Sequence, residues 1–318
     1  MYYRRLQMLG GGTLFISVPK RWVIANGLKK GDTIGIDETP SGSLLVSVEP
    51  SAPSASSIAT LKAYGEDPMY VKREVAAAYL SGMDQIKVEV EPKAFKTRKI
   101  IRDVAKDFLG LELIDQDVGS LTFRFMFDTE TMTPFRIFSR MNTLSRSIYT
   151  DITEALGDQD LLNDILDRDA EIDRLFFLGV RILRQAAANP AIAAKLGLSG
   201  VKALDYRIAF HHLEYLGDMA HRLAELISQS YKKAEDIWQL KMVLGEIASL
   251  HDSAYNYFTG AKTEPYMTFL DSALRVYEHI EILPEELALK EVKMTLREIH
   301  RLIVDIADLA STLYPYVK

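Results

Sequence analysis

Two pairs of acids at helical spacing are the residues of this sequence best placed to do chemistry. Asp169 and Asp173 stand four apart, with Glu171 between them, and so do Glu214 and Asp218. In an α-helix that spacing puts both carboxylates of a pair on one face. Like charges there repel and weaken the helix, which makes a compensating cation their natural partner. Oxygen donors of this kind suit Mg²⁺, Ca²⁺ or Mn²⁺, or iron where imidazole joins. His212 and His221 lie near the second pair, and Gly217 precedes Asp218, where the missing side chain lets a facing helix come close. The competing reading is that the acids are only the solvated stripe of an acidic helix.

The other chemical set is basic. Residues 1–31 hold Arg4, Arg5, Lys20, Arg21, Lys29 and Lys30 and no acid, a charge of +6. The whole chain carries −6, so the remainder carries −12. A basic head on an acidic body points to different partners for the two ends. Arg4, Arg5, Lys20 and Arg21 on one face of a dimer would neutralise DNA phosphates. The competing reading is a generic solvated surface.

Absences narrow the field. Among 318 residues there is no cysteine, which excludes disulfides, thiolate metal sites and a cysteine nucleophile and fits a reducing, cytoplasmic setting. No run of apolar residues is long enough for a membrane-spanning helix, so no membrane insertion is expected. The start, Met1-Tyr2-Tyr3-Arg4-Arg5, lacks the apolar region of a secretory signal. Gly10-Gly11-Gly12 is not a phosphate loop, because a strand rather than Gly-Lys-Ser/Thr and a helix follows it. His211 and His212 precede Glu214, yet no nucleophile or oxyanion arrangement accompanies them. No catalytic residue, and hence no enzyme, is expected.

The elements that must position these residues fall into three parts. Residues 1–50 read as about four short strands and one short helix: strands at Leu14–Val18, Thr33–Asp37 and Ser43–Val48, and a helix at Lys20–Asn26 opened by Pro19. Such a segment is too small to bury a core alone, so it is expected to dimerise. Residues 50–57 read as a linker. Residues 58–130 read as a small α/β domain, with helices at Val71–Leu80 and Ala94–Phe108, a strand at Gln85–Glu91 and a hairpin of Leu111–Asp115 with Leu121–Phe127. Residues 134–318 read as helices over about 134–156, 159–188, 200–231, 233–258, 264–282 and 284–313. Leu213, Leu216, Ala220, Leu223 and Ile227, and again Leu296, Ile299, Ile303, Ile306 and Ala310, alternate steps of three and four, the period of a bundle seam. The six helices read as one three-helix unit used twice. The fold class expected is thus mostly α and multidomain.

Two family resemblances attach to these segments. Arg4-Arg5-Leu6-Gln7, Gly11-Gly12-Thr13, Ile16-Ser17-Val18-Pro19-Lys20-Arg21-Trp22, Gly27-Leu28-Lys29-Lys30-Gly31-Asp32 and Gly42-Ser43-Leu44-Leu45-Val46 resemble the swapped-hairpin DNA-binding domain of the AbrB/MazE/SpoVT type. That resemblance implies a dimeric β-barrel that binds DNA. A basic pair common in its DNA-binding members would fall on Val23 and Ile24, and Lys20 and Arg21 are expected to substitute. Residues 134–315 resemble the PhoU family of phosphate-uptake regulators, chiefly through His212-Leu213-Glu214-Tyr215-Leu216-Gly217-Asp218 and Asp169-Ala170-Glu171-Ile172-Asp173-Arg174-Leu175. It implies two three-helix bundles and metal clusters on the paired acids. In the second unit Met267, Arg297 and Arg301 replace the acids, so metal is expected at Asp169, Asp173, Glu214 and Asp218 only. Together the resemblances imply an archaeal-type, cytoplasmic, homodimeric, phosphate-responsive transcriptional regulator or regulator of phosphate uptake, with a divalent metal or iron as cofactor. Expected partners are DNA and a phosphate ABC transporter or a signalling kinase. The alternative is an adaptor that does not bind DNA, dimerises through its head and binds the transporter or kinase through its bundles. A metal-dependent phosphohydrolase fits poorly, for want of a nucleophile.

Overall fold

The computed structural model describes residues 3–38, 42–48, 57–63, 67–127, 131–152, 154, 159–230, 238–261, 265–283 and 290–311. Contacts divide the chain into two compact units, Met1–Ala55 and Ser56–Lys318. The expected linker residues 50–56, and the expected helix ends at residues 156, 231, 233, 264, 284 and 313, lie outside the described residues.

In the first unit β1 (Gln7–Leu9) and β2 (Thr13–Phe15) form one antiparallel hairpin, and β3 (Ile34–Glu38) and β4 (Leu44–Val48) form another. Gly11 and Gly12 close the first turn at φ 105° and 95°, backbone that L side chains avoid. The first strand after that turn is shorter than expected, because β1 offers only three residues to pair with. The helix α1 (Lys20–Ala25) begins after Pro19, which is its cap rather than its first residue. None of the described residues of this unit is buried. Leu6, Met8, Leu14, Ile24, Ile36 and Leu44 are all more than half exposed. Two separate hairpins have no opposing layer against which to bury an apolar face.

The second unit contains two apolar cores. The first lies under a four-stranded sheet of β5 (Ile58–Lys62), β6 (Gln85–Glu89), β7 (Leu111–Gln116) and β8 (Ser120–Phe125), in the order β5-β6-β8-β7. β5 and β6 are parallel and joined through α2 (Pro68–Leu80); the other pairs are antiparallel, and α3 (Phe95–Ala105) connects β6 to β7. Alternate residues of the central strands, Ile86, Val88, Leu121 and Phe123, bury one face. β5 was not among the strands expected. β6 and α3 both end earlier than the sequence suggested.

The second core is helical. Its elements are α4 (Pro134–Asp151), α5 (Gln159–Ala188), α6 (Pro190–Lys195), α7 (Gly200–Ser230), α8 (Trp238–Phe258), α9 (Tyr266–Glu281) and α10 (Lys290–Ser311). α6 is an unanticipated short helix, capped by the Asn189 side chain. α4, α5 and α7 pack on one another, as do α8, α9 and α10; α7 meets α10, and α4 meets α8. The two seams read from the sequence are buried, with Leu213, Leu216 and Ala220 on α7 and Leu296, Ile299 and Ile303 on α10 fully removed from solvent. Where α4 meets α8, Phe138 packs on Tyr255 and Phe258, and polar pairs lie beside them. Arg146 grips Asp252 with two hydrogen bonds, at 2.6 and 2.8 Å. His251 is fully buried and donates from Nε2 to Asn142 Oδ1 at 2.8 Å while accepting from the Tyr149 hydroxyl. Burial, with the Arg146 charge adding to it, pushes the His251 pKa down to about 3.

Candidate functional site

α5 and α7 run alongside each other, and their acids meet between them. Ligand-capable atoms of Asp173, Glu214 and Asp218 all lie within 4.8 Å of one another. Asp169, the fourth acid expected, is held differently: its Oδ2 accepts a hydrogen bond from His221 Nδ1 at 2.9 Å. Its Oδ1 is buried and has no partner. That oxygen lies over the backbone of α7 at Gly217. A Cβ on that residue would come within 3.0 Å of Asp169 Oδ1 and 3.1 Å of Ile172 Cδ1. The close approach that the sequence suggested at Gly217 is therefore present, and it makes room for the carboxylate itself.

The electrostatics follow from this crowding. Burial, then the charges of Asp218, Asp173 and Asp169, push the Glu214 pKa up to about 7. Burial, then Asp169 and Asp218, push Asp173 up to about 6. Asp218 is raised by burial and by Asp169, with His221 opposing. Three half-desolvated carboxylates resist holding full charge together. A hard cation would supply the charge they lack. The donor set, with an orphaned oxygen and a cradle that any side chain at Gly217 would fill, fits one. His221 is positioned to orient Asp169, as partners of metal-binding groups commonly do. Its three-residue spacing from Asp218 was visible in the sequence; its pairing with Asp169, 52 positions away, was not.

Of the residues that replace these acids in the second helical unit, Met267 is exposed and the two arginines are neutralised by neighbours. Arg297 bonds Glu281 at 2.5 and 2.6 Å, and Arg301 pairs with Glu298 at 2.5 Å. Among the described residues, the α5–α7 acids are the group that could hold a metal ion.

In the first unit Arg4, Arg5, Lys20 and Arg21 are all exposed, Lys20 and Arg21 opening α1. No helix of the described residues is long and apolar enough to cross a membrane.

Comparison with known proteins agrees with this division. Residues 138–227, which span α4 to α7 and include all four acids, match the family model of the PhoU domain. Residues 7–55 match that of the antidote-toxin recognition MazE, bacterial antitoxin. Searches of curated proteins and of solved structures returned no match. The chain thus carries a MazE/AbrB-like segment at its N-terminal end and a PhoU domain in its helical part.

Proposed function

We propose that this chain, which joins a MazE-like head to a PhoU domain, is a phosphate-responsive transcriptional regulator acting on phosphate uptake. The head binds DNA as a homodimer through Arg4, Arg5, Lys20 and Arg21. The helical part senses a divalent metal or iron at Asp173, Glu214 and Asp218, with Asp169 beside them, or a partner such as a phosphate transporter or a kinase. A bound cation supplies the positive charge that lets the carboxylates ionise together. In this reading the protein is a cytoplasmic regulator and not an enzyme.

The observation that carries the reading is the state of the head. Its bases are exposed, and apolar residues are exposed with them, Met8 at 71 % and Leu44 at 63 % among them. A second copy that interleaves its hairpins would bury that surface and align both sets of bases on one face. A different observation favours the adaptor reading: Ile24, 68 % exposed, stands where a DNA-contacting base would fall.

The test uses the full-length protein. It should be a dimer by light scattering, and a stable monomer with native circular dichroism would overturn the dimeric head. DNA affinity should fall steeply with salt, and Arg4→Ala with Arg5→Ala should weaken binding and reduce the slope by about one per lost phosphate contact. Absence of DNA binding even at low salt would establish the adaptor instead.

A further inference from the structure

The short helix α6 stands between the end of α5 and the start of α7, and a cavity lies among the three. α5 stops at Ala188, and Pro190 cannot continue it. Asn189 caps α6 instead, accepting from the Ala191 N–H at 2.9 Å. At the far end Gly197 takes φ 62°. Its N–H donates to the Ala194 carbonyl at 3.0 Å, and that of Leu198 donates to the Ala193 carbonyl at 2.9 Å. This paired closure ends α6 and leaves Leu198 buried against it. The space enclosed measures about 430 Å³, within the range of small-molecule sites, about 300–1,000 Å³.

Leu183, Ala186 and Leu198 form the buried part of its lining, with Ala193 and Ala203 beside them. Leu204, 65 % exposed, stands at its edge with the exposed Arg184 of α5 and Arg207 of α7. Elsewhere in this acidic body Arg146, Arg168, Arg297 and Arg301 each grip a carboxylate. Arg184 and Arg207 hold none among the described residues; Arg207 lies over the Phe176 ring, 5.3 Å from its centroid. A guanidinium stacked on a ring face keeps the N–H donors at its edge for another acceptor. Apolar walls and unanswered positive charge therefore share one concave site.

We propose that this cavity binds a small amphipathic anion, a carboxylate or phosphate monoester on an apolar body, with the body between α5, α6 and α7 and the head at Arg184 and Arg207. The hydrocarbon walls select the body, and the guanidiniums select the charge. A wholly polar anion would leave the walls wet. An uncharged chain would leave both arginines without an acceptor. None of the four acids lines the cavity, and the proposal stands whether or not they hold a metal.

The experiment titrates octanoate, octyl phosphate, octanol and inorganic phosphate separately into the full-length protein, followed by calorimetry. At least one octyl anion should bind about tenfold or more tighter than octanol and than inorganic phosphate, and the tighter of the two names the head group. Arg184→Gln with Arg207→Gln should remove the margin over octanol. Both side chains are exposed, so the fold should survive, which circular dichroism checks. Ala187→Phe, which adds a ring from an exposed position of the lining, should weaken the octyl anion about tenfold. Lys195→Gln, on α6 but outside the lining, should change nothing. Octanol or inorganic phosphate binding as tightly as the octyl anions would overturn the amphipathic anion. No binding of either octyl anion at a few millimolar would overturn the site. Ala187→Phe that leaves anion binding intact but lowers the mass by light scattering would make the cavity an interface between copies, and the proposal would fall.

Discussion

The two three-helix units of this protein use one scaffold for opposite electrostatic ends. In α4, α5 and α7 the acids face one another across a helix pair, and burial lifts Glu214 to about 7. In α8, α9 and α10, by contrast, Glu281 pairs with Arg297, Glu298 with Arg301 and Glu246 with His279. In the proposed reading the first unit gains by binding a cation, while these acids of the second already have partners. Exposed ion pairs of the second kind contribute little to stability. Crowded carboxylates of the first kind hold a charge deficit that a ligand can relieve. If the proposed reading holds, a helical bundle becomes a sensor by leaving charges unmatched, not by changing its packing.

The largest effect that sharpens this contrast is metal-linked stability. At a hundredfold excess over its dissociation constant, a divalent cation should stabilise the parent by about 2.7 kcal/mol, read as a rise in Tm. Asp218→Asn should abolish that rise, and Asp271→Asn in the second unit should leave it in place. If Asp218→Asn instead stabilises the metal-free protein and metal does nothing to the parent, the acids are a repelling stripe, and the units differ only in surface charge.

Next comes a pair of glycines. Gly217→Ala places a methyl 3.0 Å from Asp169 Oδ1 and should cost about 1–3 kcal/mol, the scale of overpacking. Gly245, inside α8, has nothing within 4 Å of an added Cβ. Gly245→Ala should therefore stabilise by about 0.5–1 kcal/mol through helix propensity. Urea unfolding measures both, and two changes of the same sign would contradict the cradle.

A smaller effect lies at the seam between the units. His251 is buried neutral with its pKa pushed down to about 3, while an unfolded chain protonates it near 6.5. Between those values the unfolded state binds more protons, so this residue's contribution to stability is present at neutral pH and lost as pH falls below about 6.5. His251→Gln should be less stable at pH 7 and should show a shallower loss toward pH 4. Equal slopes for parent and variant would mean that the histidine is not buried neutral. Smallest of all, Arg297→Gln should leave the unfolding midpoint near the parental value, since its pair is at the surface.

Much of the helical part was legible because its signal is local and repeated. The three-and-four spacing of Leu213 to Ile227 named the buried face of α7 without any tertiary information. The acids were legible as pairs because each pair sits on one helix. β5 escaped because the five residues Ile58–Lys62 alternate only weakly and gain their pairing from Gln85–Glu89, more than twenty positions on. α6 escaped because a six-residue helix leaves no periodicity to detect.

What the sequence determined by itself, then, was which residue types recur on which face: the apolar seams, the paired carboxylates, the unopposed bases of the head. Only the tertiary structure decided which faces meet. It set Asp173 against Glu214 and Asp218, turned Asp169 toward His221 and buried Arg181 under the end of α2. The physical reason is one of range. Periodicity and turn chemistry act over a few residues. A pKa near 7 on Glu214, or a guanidinium held by carbonyls about a hundred positions away, arises from desolvation and charge across helices that touch only when the core has closed.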